Sequence, residues 1–216
     1  HFSDFLQFLF MGIQRGCIYA MVAMGFNIIY NATGIINFAQ GEFVMLSGMT
    51  MVSLHGHLGW LMAPAMAAAL AVVLVYGAIL MAVTTRFGRG ASLISVLIIT
   101  IGASIATTGV AARLWGSDAH RFPPFSGDAP LWVLGATVTP QALWIVGVSA
   151  VAIGLIEWFM RRTLLGRAMR ACALDKQAAM MMGIPVRTTV LLSFLLAGLL
   201  GGVGGIVTTP LTTIDI

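Results

Sequence analysis

Between Asn31 and Phe43 the chain reads NATGIINFAQGEF, which sets three amide side chains, two glycines and one carboxylate between two strongly apolar stretches. The chemistry open to Asn31, Asn37, Gln40 and Glu42 is hydrogen bonding to a polar solute or to exposed backbone. Gly34 and Gly41 relax helix geometry, and amide side chains can replace backbone hydrogen bonds that a break removes. Non-helical backbone at membrane depth is tolerated where it lines a cavity or is buried in protein. Transporters use broken helices in this way to meet polar groups of their substrates. Glu42 facing lipid would be costly, so it should face a partner group, water or an aqueous path. Residue types alone leave two other readings open: an ordinary hydrated loop, or interhelical hydrogen bonding by Asn37 and Gln40.

Other chemistries lack their residues. No glycine-rich phosphate loop ends in Lys and Ser or Thr, and the one lysine, Lys176, follows no such loop, so the chain itself is not expected to hydrolyse ATP or to be an enzyme. His55 and His57 are two apart and point in different directions on a helix, a poor match to a two-histidine metal site, so no metal site is expected. Ser47-Gly48 has no matching His or Asp motif for an intramembrane protease. Met180-Met181-Met182 suits packing against a partner better than soft-metal ligation. Cys17 lies in an apolar segment and Cys172 in a basic loop, so no disulfide is expected between them.

The elements that must position these residues are membrane helices. Hydrophobic residues make up 59% of the chain and charged residues only 8%. A soluble domain carries about 25% charged residues, so the solvent for most of this chain is lipid. Six apolar segments are expected: about 6–30, 38–58, 61–85, 91–112, 141–160 and 188–210. Each is near the ~20 residues that carry a helix across about 30 Å of hydrocarbon. Gln14 and Arg15 interrupt the first, whose lipid-buried part is expected to begin near Gly16. Runs such as AMAAALAVVLVYGAILMAV lack the alternation of a barrel strand. The expected fold class is therefore all-α, a polytopic integral membrane helical bundle. Glycines 198, 201, 202, 204 and 205 crowd the last segment and suggest close helix packing.

Loop charge sets the orientation. Arg86 and Arg89 follow the third segment, and Arg161, Arg162, Arg167, Arg170, Lys176 and Arg187 follow the fifth, so both loops are expected in the cytoplasm. The net charge of +4 is read as topology rather than as a nucleic-acid surface. The 115–140 loop, with Asp118, Arg121, Pro123, Pro124, Asp128 and tryptophans 115 and 132, is expected outside, and so is the N-terminus. The second informative stretch, Arg161 to Thr189, favours a short cytoplasmic helix stopped by Gly183 and Pro185. Leu165, Met169, Cys172 and Met180 fall roughly on one face, interrupted by Lys176. That face suits a groove on a soluble partner, or anionic lipid headgroups.

Together the two stretches resemble a known family, the permease subunits of branched-chain amino acid ABC importers. Tyr19-Ala20, Gly25, Tyr30, Gly34 and the run Asn37-Phe38-Ala39-Gln40-Gly41-Glu42 match its N-terminal signature, with Gln40 where the family commonly shows His. GRAMRACALDKQAAMMMGI resembles its coupling loop, with Ala171, Ala173, Asp175, Ala179, Gly183 and Ile184 at matching positions and Arg170 beside them. The resemblance implies one permease domain over 1–216 with a coupling loop at about 161–187, in the bacterial inner membrane. It implies a second permease, ATP-binding subunits that hold ATP and Mg, and a periplasmic binding protein as partners, with no cofactor in this chain. A branched-chain or other hydrophobic amino acid is the expected substrate; related permeases serve urea, short amides and aromatic acids. Asn31, Asn37, Gln40, Gly41 and Glu42 are the expected path or gate residues. Family members usually continue with further helices beyond the sixth segment. A channel or secondary transporter independent of ATP remains the other class, since broken helices with intramembrane amides suit it too.

Overall fold

A computed structural model describes residues 2–88, 92–116, 131–133 and 136–210. Arg89, Asp118, Arg121, Pro123, Pro124 and Asp128, on which part of the orientation argument rests, lie outside them. Eight α-helices occur among the described residues: α1 (Phe2–Thr33), α2 (Gln40–Met51), α3 (Met62–Phe87), α4 (Leu93–Trp115), α5 (Pro140–Arg162), α6 (Leu164–Leu174), α7 (Lys176–Met181) and α8 (Val186–Thr208). Five of them, α1, α3, α4, α5 and α8, are long and apolar enough to cross a membrane. A short antiparallel hairpin precedes α5, β1 (Leu131–Val133) against β2 (Ala136–Val138), with Trp132 paired to Thr137. Sequence patterning had suggested only a loop there.

The second apolar segment differs from the others. Instead of one membrane-length helix it forms the 12-residue α2, which runs on as a π-helical stretch, Val52–His57. The wider turn shows in the bond from the Leu58 N–H to the Ser53 carbonyl, five residues back. α2 carries three glycines or serines and two polar N-terminal residues, yet most of it is buried. It can be so because α8 presents a glycine face. A Cβ built at Gly205 would lie 2.2 Å from the Val44 carbonyl oxygen, and one at Gly201 would lie 2.6 Å from the Phe43 Cβ. Gly198 and Gly202 admit Phe43 and Val73 in the same way. In lipid, where apolar surface gains nothing by leaving its solvent, such backbone-to-backbone approach is what holds helices together.

α8 is thus the central helix. Two-thirds of its apolar stretch is buried, against 11–28% for the other four long helices. α1, α2 and α3 surround it, α5 packs on α1 and α8, and α4 lies outside α3 and α2. Phe43, Val73, Leu80 and Phe194 form the main core between α2, α3 and α8. The outward faces of α4 and α5 carry Ile94, Ile98, Ile105, Val151 and Leu155, as lipid-facing surfaces should.

The stretch expected in the cytoplasm is two helices rather than one. Asp175 adopts an extended backbone and caps α7, accepting from the N–H groups of Gln177 and Ala178. Thr163 caps α6 in the same way through the Gly166 N–H. α7 ends at Met181 and the chain turns at Gly183, whose φ of +80° suits glycine, with bonds from Gly183 N to the Met180 carbonyl and from Ile184 N to the Ala179 carbonyl. The break corrects the single-face expectation. Met169 and Cys172 are 2% exposed and pack inside the chain, whereas Leu165 and Met180 are exposed. The change of direction at Asp175 takes Met180 off the line of α6.

Candidate translocation site

The polar segment begins where α1 ends. The Thr33 hydroxyl donates to the Ile29 carbonyl and accepts from the Ile35 N–H, closing the helix. Gly34, at φ +72°, turns the chain back. Lys176, the first residue of α7, donates to the Thr33 carbonyl, which the helix end would otherwise leave without a partner. Burial holds the Lys176 amine below the usual lysine range, with Cys172 acting the other way. This contact puts the end of α1 and the α6–α7 pair on one face of the membrane. The N-terminus of α1 then lies at the opposite end of that helix.

From Gly34 the chain runs without helix through residues 35–39 and re-enters the bundle. The Asn37 Oδ1 accepts from the Ala39 N–H, a side-chain turn that starts α2. The Thr100 hydroxyl of α4 accepts from the Phe38 N–H at 3.4 Å and lies 3.4 Å from the Ile36 carbonyl. Gln40 Nε2 donates to the Ala197 carbonyl of α8 at 3.3 Å. Glu42 accepts from Ser104 at 2.6 Å and from Thr108 at 3.4 Å, both on α4. Those hydroxyls are its only hydrogen-bond donors among the described residues, and the carboxylate is 9% exposed.

Helix geometry gives the depth. Ala197 and Ser104 each lie eleven residues along their helices from the cytoplasmic end, roughly 16 Å, and Gly25, against which Gln40 packs, lies about 12 Å from the end of α1. These agree on a level near the middle of about 30 Å of hydrocarbon. The segment therefore breaks the helical run inside the bundle, with Gln40 and Glu42 buried about halfway along α8 and α4 and not in a surface loop.

Two amides there are half satisfied. Asn37 Nδ2 and Gln40 Oε1 are buried without a hydrogen-bond partner, and so is the Ser149 hydroxyl of α5. The bonds already made by Asn37 Oδ1 and Gln40 Nε2 fix which way each amide faces, leaving one donor and one acceptor unused. Two open cavities lie along α1 toward its two ends, neither lined by Asn37, Gln40 or Glu42. An outer cavity of about 740 Å³ is lined by Gln14, Arg15, Tyr19, Val44 and Thr208. An inner one of about 480 Å³ is lined by Asn31, Gly34, Asp175 and Lys176. Along α1 the outer cavity ends at Tyr19 and the inner region begins near Ile28, with Gly25, Gln40 and Ala197 packed between them.

Gln40 and Glu42 thus meet α8 and α4 about halfway along those helices, while Asn37, whose neighbours Ile36 and Phe38 meet Thr100, lies nearer the start of α4. Gly41, on the same helix turn, is exposed with nothing within 4 Å of a built Cβ. Asn31 is apart, exposed at the cytoplasmic end of α1 and bonded to Asn27. Of the positions expected to couple, Ala179 is buried, Ala171 and Ile184 are half-buried, and Arg170, Ala173, Asp175 and Gly183 are exposed, beside the exposed Leu174, Met181 and Met182. His55 bonds the Trp60 carbonyl, and Ser47 donates to the Val44 carbonyl within its own helix. Sequence reasoning missed Thr100, Ser104 and Thr108. Their spacing, four and eight residues apart, marks one helix face, and that was the available signal.

A family model for the permease component of branched-chain amino acid transport systems matches residues 8–215. The chain belongs to this family. Among its relatives, the high-affinity branched-chain amino acid permease LivH of Escherichia coli K12 is 30% identical over 95% of this chain and 70% of its own length. The permease BraD of Pseudomonas aeruginosa PAO1 is 27% identical over 94% and 70%. The ribose import permease RbsC of E. coli K12 is 28% identical over 92% of this chain and 60% of its own length. No solved structure matches. The chain is thus a transport subunit of the ABC permease class and a multi-pass membrane protein, and the buried amides sit inside a permease.

Proposed function

We propose that this chain is the permease subunit of a binding-protein-dependent ABC importer in the bacterial inner membrane, moving a branched-chain or other hydrophobic amino acid inward. Residues 1–216 act as one permease domain. Two ATP-binding subunits hold ATP and Mg, a second permease completes the pore, and a periplasmic binding protein delivers the substrate. The observation that carries the reading is the broken segment inside the bundle, with cavities toward both ends of α1 and an unused donor and acceptor on Asn37 and Gln40.

In the outward state the Gln40–Gly25–Ala197 contact seals the path below the outer cavity. ATP binding closes the partner ATPases, and the α6–α7 pair carries that motion into the membrane. As the seal opens, the substrate's ammonium and carboxylate meet Gln40 Oε1 and Asn37 Nδ2 in passing. Contacts this few suit a path, where tight binding would slow release. Relatives named for amino acids and for ribose support a path whose selectivity is largely set by the binding protein.

The test begins with native purification and identification of co-purifying subunits. Import and ATP hydrolysis are then measured in proteoliposomes with candidate binding proteins, including ones for urea, short amides and aromatic acids. Import that needs no ATPase subunit would sink the reading. Normal import by Asn37→Ala and Glu42→Ala variants at normal expression would remove those two residues from the path.

A further inference from the structure

We infer that Lys176 is the positioning residue that ties the cytoplasmic α6–α7 pair to the mid-membrane segment, so that displacement of the pair moves Asn37, Gln40 and Glu42. The inference rests on the importer reading above. Lys176 opens α7, directly after Asp175, whose side chain fixes the start of that helix. Its amine donates to the carbonyl of Thr33, the last residue of α1. A cation at a helix C-terminus also meets the negative end of the helix dipole. The next residue, Gly34, holds φ +72° with open space around it, and from there only residues 35–39 lead to Gln40.

The surroundings leave this contact room to act as a lever. Around it lies the inner cavity of about 480 Å³, whose walls are the end of α1 on one side and residues 172–177 on the other. The α5–α6 joint of the pair is tight. At the α5–α6 corner a Cβ on Gly166 would lie 2.5 Å from the Met160 Cα, and at the other end the Gly183 turn closes α7 on itself before α8 begins. A push on the exposed coupling face therefore reaches α5, α8 and α1 through the packing of α6, where Met169 clusters with Ile28 and Leu200, and through Lys176 it reaches the Thr33 carbonyl at the very start of the polar segment. At the far end, Gln40 is held to Ala197 by a bond already 3.3 Å long, which a small shift breaks.

The test uses the complete importer in proteoliposomes, comparing wild type, Lys176→Met, Lys176→Arg and a control change of an exposed cation at the end of α3, Arg86→Gln. Lys176→Met is expected to hydrolyse ATP within about twofold of wild type while substrate imported per ATP falls about fivefold, the scale of one lost charge-assisted hydrogen bond at a partly exposed site. Lys176→Arg, which keeps the donor, should restore the ratio, and Arg86→Gln should leave it unchanged. An unchanged ratio in Lys176→Met overturns the inference. If that variant does not assemble, wild type decides: hydrogen exchange of residues 34–39 must change when a non-hydrolysable nucleotide closes the ATPases, and unchanged exchange overturns it. A wild-type assembly that imports without hydrolysing ATP would instead bring down the importer reading itself.

Discussion

Replacing Gly205 by Ala tests whether the α2–α8 contact is as close as described. The added Cβ would stand 2.2 Å from the Val44 carbonyl oxygen and 2.1 Å from the Ser47 hydroxyl. Ser47 can rotate away, but Val44 offers backbone, so the two helices must part by about 1 Å at that point. Overpacking of this kind costs typically 1–3 kcal/mol, and a gap of that size forfeits up to half of each neighbouring dispersion contact. Alanine returns about 1 kcal/mol of helix propensity. The net expectation is a loss of about 2 kcal/mol, or roughly 4–8 °C in melting temperature for a chain of this size. The same parting tilts α2 away from Ala197, eight residues back along α8, and so should also break the Gln40 bond and lower import. The control is Gly41→Ala, on the same α2 helix, where nothing lies within 4 Å and stability should hold or rise slightly. Both are measured by denaturant titration of purified protein in bicelles and by import in proteoliposomes. A Gly205→Ala protein with the wild-type midpoint would refute the packing argument, whatever its transport.

Glu42→Gln keeps an acceptor for Ser104 and should cost under about 1 kcal/mol, whereas Glu42→Leu loses both hydroxyl partners and should loosen α4 by about 1–3 kcal/mol; the same titrations compare the two. Gly183→Ala forces a side chain into φ +80° and should cost about 1 kcal/mol, most of it local to α7, read as faster hydrogen exchange of residues 176–184. In a Cys17→Ser background, Cys172 should resist impermeant thiol reagents in sealed vesicles, Met181→Cys should label only from the cytoplasmic face and Leu58→Cys only from the outer face. Labelling of Met181→Cys and Leu58→Cys from one and the same face would overturn the topology.

The long helices were legible because lipid admits few alternatives: a run such as 61–85 with no charge has to be a helix. Residues 38–58 were legible as apolar but not as a half-length helix, since nothing local says that α2 starts at mid-depth. That follows from Lys176 meeting Thr33 and from Gln40 meeting Ala197, contacts 143 and 157 residues apart in the chain. The glycines of α8 were readable as packing residues; that α2 and α3 are the helices they admit was not. At the coupling loop, Lys176 was read as a flaw in an apolar stripe. The better signal was Asp175, a helix-capping residue in the middle of a helical pattern, which marks the start of a second helix. The hydroxyl face of α4 was visible as spacing, yet its purpose depends on Glu42, 62 residues earlier.

The buried position of α2 also has a bearing on how the chain is made. α2 leaves the ribosome early, while the glycine face that receives it lies in α8, about 160 residues later. At 5–20 residues per second, synthesis of the intervening chain takes roughly 8–30 s. Through that interval Asn37, Gln40 and Glu42 have no α8 to fold against, and a helix too short and too polar to rest in lipid must wait at the translocon or at the membrane surface. Assembly of this permease is therefore gated by its last described helix. Changes in the α8 glycines should show first as nascent chains lost to membrane proteases, before any defect in transport can be measured.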